Sequence, residues 1–90
     1  MEHYEIVKES IFSFTDIDYS IKGRIVKIMN RTSNSAYMYD ISHYCRLEQE
    51  ADIYISSAVF GDSVEDVEYR LMMYVKRFES AAQIVKNPYY

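Results

Sequence analysis

The side chains in this chain that could carry covalent or acid–base chemistry are few, and the nearest to a working pair is His43 with Cys45, two positions apart. On a strand, residues i and i+2 share a face, so the imidazole and the thiol stand on one side with Ile41 while Asp40 points the other way. A thiolate nucleophile needs more: a third group to orient the base, and donors for the developing oxyanion. Nothing nearby in sequence supplies them. Tetrahedral zinc wants four ligands, and outside this pair only His3 offers another imidazole. Carboxylates are plentiful, but paired-carboxylate hydrolysis also needs a concave substrate site, and two glycines in ninety residues leave little backbone for one. Glycine-rich phosphate loops and dinucleotide fingerprints are absent. The expectation is a protein that is not an enzyme, with no catalytic residue, no metal and no cofactor.

Binding chemistry is better represented. Between positions 48 and 69 stand Glu48, Glu50, Asp52, Asp62, Glu65, Asp66 and Glu68 without a single Lys or Arg. Gathered at one pole of a small body, these would form a negative field that speeds encounter with a positive partner and confers salt sensitivity. Such a field can also occupy the groove where another protein holds DNA or RNA. Helix capping and solubility account for part of the same acidity. A second candidate is basic: Lys22 and Arg24 share a strand face, Lys27 and Arg31 follow, and Tyr37 and Tyr39 return beside them, a pattern able to stack bases and neutralise phosphates. Its plainer reading is an edge strand guarded by charge. A third candidate is a contact surface of Tyr69, Met72, Met73 and Ile84, with the Tyr89-Tyr90 tail beside it, because Met and Tyr adapt well at interfaces.

The elements that must position these groups follow from periodicity. Gly61-Asp62 breaks the chain, Ser63 stands three residues before Asp66 as a cap, and Val64, Val67, Leu71, Val75, Phe78, Ala82 and Val85 recur at helical steps. Acids open this segment, Lys76, Arg77 and Lys86 lie toward its end, and Asn87-Pro88 stops it, so the pattern predicts a long helix over about 63–87. On that helix Tyr69, Met73 and Ile84 fall opposite the apolar stripe, with Met72 at its flank. Tyr19 to Met29 and Ala36 to Cys45, joined through Ser33-Asn34-Ser35, read as a hairpin. After the polar reversal Glu48-Gln49-Glu50, a third strand is expected from Ile53 to about Phe60. Tyr4, Val7, Ile11 and Phe14 repeat at helical spacing and favour a short N-terminal helix, although Ile11-Phe12-Ser13-Phe14 suits a strand as well. The expected fold is α+β over a single domain, residues 1–90: a three-stranded antiparallel meander packed by the long C-terminal helix, in the order α-β-β-β-α, with β-β-β-β-α as the alternative.

That element order is similar in layout to the double-stranded-RNA-binding domain. The family meets phosphate with lysines at the start of its second helix, where this chain reads Asp62-Ser63-Val64-Glu65-Asp66, so the resemblance does not extend to the residues that carry RNA affinity. Ten tyrosines, no tryptophan and a net charge of −4 resemble, in composition, small acidic inhibitors of nucleases and defence complexes, including those of bacteriophages. One cysteine allows no internal disulfide, and neither a leader nor a spanning apolar run stands out, so a cytoplasmic setting is expected and Asn30-Arg31-Thr32 carries no weight as a glycosylation signal. The preferred expectation is a non-enzymatic protein-binding factor, an inhibitor or immunity factor acting on another protein such as a nucleic-acid-binding enzyme, with a homodimer as a further contact. The alternatives are a nucleic-acid-associated module and a ligand-sequestering oligomer with tyrosines lining a pocket between subunits.

Overall fold

A computed structural model describes residues 2–29 and 35–90. Among them the chain forms β1 (Tyr4–Phe14), β2 (Ile17–Ile28), β3 (Tyr37–Ile41), β4 (His43–Leu47), β5 (Phe60–Gly61), α1 (Val64–Val75), a 3-10 turn (Lys76–Ser80) and β6 (Ala81–Lys86). One sheet is antiparallel in the order β1-β2-β3-β5; β4 and β6 pair separately.

The expected N-terminal helix is a strand. β1 pairs along β2 from Tyr4 opposite Ile28 to Phe14 opposite Ile17, and a register shift falls between Ile6 and Lys8. A bulge lengthens one same-face step from two residues to three, so a strand can imitate the three-residue spacing of a helix. Of the supposed helical face, Tyr4, Val7 and Ile11 are exposed and only Phe14 packs on the core, beside Phe12 from between them. A hairpin partner of matching length therefore decided the segment, not its local period.

The long C-terminal helix is also corrected. Its start is as expected, with Ser63 Oγ accepting from the Asp66 N–H at 3.1 Å, and Val67, Leu71, Val75 and Phe78 are buried. But α1 ends at Val75, a 3-10 turn follows, and residues 81–86 form a strand whose Ile84 lies opposite Cys45 and Val85 opposite Tyr44. β-Branched Ile84 and Val85 suit a strand, and β4 offers them a ladder that a continued helix would leave unpaired. The apolar stripe fails there too, since Ala82 is exposed.

The three-stranded meander and both helix-terminated element orders fall with these changes, and with them the layout shared with the double-stranded-RNA-binding domain. The β2–β3 pairing is present, with Gly23 opposite Ile41 and Lys27 opposite Tyr37. Of its expected turn, Ser33 and Asn34 lie outside the described residues; Ser35 has a positive φ of 76°. The second arm does not run on to Cys45. At Ser42 the chain leaves one sheet for the other, held by Ser42 N–H to the Lys22 carbonyl, Asn87 N–H to the Ser42 carbonyl, and Lys22 N–H to Ser42 Oγ, each at 2.8 Å. The expected strand Ile53–Phe60 shrinks to a single bridge between Tyr54 and Cys45 and the two-residue β5.

Register assigns the faces of the four-stranded sheet. Phe12 with Ile21, Lys8 with Ile25 and Tyr39, and Ser10 with Gly23 and Ile41 share the side covered by α1. The helix sits close because a Cβ on Gly23 would lie 2.9 Å from Leu71 Cδ1, inside van der Waals contact. Ile21, Ile25, Tyr39, Ile41, Cys45, Val67, Leu71, Tyr74, Val75 and Phe78 form the buried core. Full burial of one such side chain stabilises by roughly 1.5–3 kcal/mol.

Candidate functional site

The seven acids do not gather at one pole. Asp62, Glu65, Asp66 and Glu68 surround the start of α1, whereas Glu48, Glu50 and Asp52 lie in the loop after β4, which Arg77 ties to the far end of that helix. Twelve helical residues, roughly 18 Å, separate the two groups. Most are also occupied. Arg77 donates to both Glu50 oxygens, at 3.0 and 2.6 Å. That guanidinium, with the Leu47 N–H, holds the Glu50 carboxyl below its ordinary pKa. Asp66 faces Arg70 at 3.5 Å, Glu68 pairs with Lys8, and Asp62 accepts the Ser35 N–H at 3.0 Å. Glu48, Asp52 and Glu65 form no ion pair with another described residue.

The basic residues divide as well. Register sets Lys22 and Arg24 on the face turned from α1, and Lys27, Tyr37 and Tyr39 on the helix side; Arg31 lies outside the described residues. Arg24 pairs with Asp40 at 3.0 Å, and the Tyr90 ring stacks 4.2 Å from its guanidinium while the Tyr90 hydroxyl donates to Glu9. Lys27 lies 5.9 Å from the Tyr37 ring that faces it across the ladder. Among the described residues, the groups that would have to track a phosphate backbone are thus divided between two faces, and Arg24 is already paired.

His43 and Cys45 share a strand without forming a reactive pair. The His43 ring stacks on Tyr19 at 4.9 Å, its Nδ1 lies 2.7 Å from Ser42 Oγ, and burial, aided by Lys86, lowers its pKa. The Cys45 thiol is fully buried, and burial pushes its pKa up against the pull of Arg77. That keeps it protonated at neutral pH. Among the described residues no three His, Cys, Asp or Glu side chains are grouped to hold a metal.

Of the Tyr/Met surface, Tyr69, Met72 and Met73 are exposed together on the outer side of α1, at 66%, 38% and 53%. Ile84 is not among them; it belongs to β6 and packs on the core. Beside this ridge lies a cleft of about 330 Å³ lined by Tyr39, Tyr54, Ser56, Arg70, Met73, Tyr74 and Arg77. It adjoins a second hollow of about 200 Å³ that shares Tyr39, Ser56 and Tyr74 and adds Tyr44. The tyrosines are held firmly. Tyr74 donates to the Tyr54 carbonyl and accepts the Cys45 N–H at 3.0 Å, and burial pushes its hydroxyl up to about 12. Tyr54 stacks on Tyr74 at 6.1 Å, and Arg77 lies 4.7 Å from the Tyr54 ring. Sequence reading passed over this cluster, although Arg70, Tyr74 and Arg77 at i, i+4 and i+7 mark one helix face. Tyr39 and Tyr54 arrive from distant segments and left no such mark.

Compared with protein-family models, with curated proteins and with solved structures, the chain matches none. No helix among the described residues is long and apolar enough to cross a membrane.

Proposed function

We propose that this chain is a non-enzymatic binding protein whose main contact surface for a partner protein is the Tyr69–Met72–Met73 ridge of α1. The observation that carries the reading is the joint exposure of those three side chains on a rigid helix, next to a cleft rich in Tyr and Arg. Tyr, Met and Arg are enriched at interface centres, and one rigid helix face orders few groups on binding. The electrostatic part narrows from seven acids to Glu65, with Asp62 beside it, because Asp66 and Glu68 are paired within the chain. A partner with a positive rim fits that end of the ridge. Inhibition of such a partner is the role that agrees with the small acidic composition, and a buried single thiol goes with a cytoplasmic setting.

The test is affinity capture with wild type and Met73→Asp in parallel, each checked for melting temperature. The reading expects a partner kept by wild type and lost by the variant while both melt alike, and a slower association rate for Glu65→Lys that converges with wild type at high salt. Equal retention by wild type and Met73→Asp defeats it.

A further inference from the structure

The cleft beside the ridge has a composition that neither capping nor core packing calls for. Every charged side chain in its wall is cationic, Arg70 and Arg77, while the acids that balance them, Asp66 and Glu50, stand outside the lining. The two arginines differ in availability. Arg77 spends its terminal amines on Glu50 and the Cys45 carbonyl. Arg70 meets Asp66 only at 3.5 Å, without hydrogen-bond geometry at Nε, and its side chain is 40% exposed at the cleft. Tyr39 and Ser56 stand in the same wall, hydrogen-bonded to each other, with Ser56 Oγ also accepting the Ala58 N–H at 3.1 Å; burial raises the Tyr39 pKa, with Ser56 pulling the other way, so the phenol keeps its proton at neutral pH. The Tyr54 ring is backed by Arg77 and Tyr74 and remains 46% exposed, leaving room for a second planar group against it.

We infer that this cleft binds a small planar ring carrying a phosphate, of the size of a nucleoside monophosphate, with the ring on Tyr54 and the phosphate on Arg70, Tyr39 and Ser56. Guanidinium forks recognise phosphate oxygens in pairs, and stacking on an aromatic tolerates any base. A volume of about 330 Å³ admits one such unit; the adjoining hollow of about 200 Å³ carries Asp40 in its wall and does not extend the phosphate end. The site lies within one chain and shares Met73 with the partner ridge, but the ligand contacts proposed for it are those of Tyr54, Arg70, Tyr39 and Ser56.

The experiment is isothermal titration of the intact protein with adenosine and uridine 5′-monophosphates, inorganic phosphate, and adenosine. Both monophosphates are expected to bind at micromolar to millimolar affinity, and phosphate or adenosine alone at least about tenfold more weakly. Arg70→Met and Tyr54→Leu should each weaken monophosphate binding by about tenfold or more, and Tyr39→Phe by a smaller factor. Asp66→Asn, which releases Arg70, should tighten it. The inference is overturned if the monophosphates give no heat at millimolar concentration, if phosphate or adenosine alone binds as well, or if Arg70→Met and Tyr39→Phe, confirmed folded by their melting transitions, bind like wild type.

Discussion

The two faces of the four-stranded sheet are built from neighbouring residues of the same strands, yet they do different work. Ile21, Gly23 and Ile25 turn toward α1 and meet Leu71 and Val67 in a sealed core. Lys22, Arg24 and Val26 turn away; there Arg24 meets Asp40 and the Tyr90 ring, and Arg24, Val26, Asp40 and exposed Ile6 line a groove of about 410 Å³. Alternation at every second residue thus gives one strand an α1-facing core side and a second side where Lys22 and Arg24 reach the surface while Val26 and Ile28 are buried. The lesson is that a basic run such as Lys22 to Lys27 cannot be read as one patch, since Lys27 stands on the helix side while Lys22 and Arg24 turn away.

The sharpest way to break this contrast is Leu71→Ala, which should destabilise by about 2–5 kcal/mol in denaturant unfolding because it opens a cavity against Gly23 and Val67. Gly23→Val, which forces bulk into the same contact, should cost about 1–3 kcal/mol. Tyr74→Phe should follow at about 1–3 kcal/mol, because the Cys45 N–H and the Tyr54 carbonyl lose their shared partner. This variant also carries a pH signature. The Tyr74 hydroxyl is raised from 10.0 to about 12, so the folded state holds its proton longer than the unfolded state does. Its contribution is complete below about pH 10 and declines as pH rises toward 12. Alkaline unfolding curves of wild type and Tyr74→Phe should therefore converge across that window; parallel curves would show that the hydroxyl is not the cause. On the face away from the helix, Ile6→Ser and Arg24→Ala should each move stability by only about 0.5–1 kcal/mol, and a loss as large as that of Leu71→Ala would erase the distinction between the faces.

The same contrast explains what could be read in advance. The start of α1 was legible because its cap is local: Ser63 and Asp66 are three residues apart, and the stripe from Val67 to Phe78 needs only a surface to lie on. The β2–β3 pairing was legible because its arms are near in sequence and rich in β-branched residues. The cleft was not. Its Tyr39, Tyr54 and Arg70 come from a strand, a loop and a helix, and nothing in the spacing of any one segment reports on the others.

Composition and local pattern determined a mixed α and β chain, the cap of its one described α-helix, the buried stripe that helix presents, and a single thiol with no internal partner. Tertiary structure alone decided that residues 4–14 and 81–86 are strands, that Glu50 meets Arg77, and that four tyrosines share two adjoining hollows. The physical reason is that a strand is completed by hydrogen bonds to another segment and an ion pair by a charge brought in from elsewhere, so neither exists until distant parts of the chain have met.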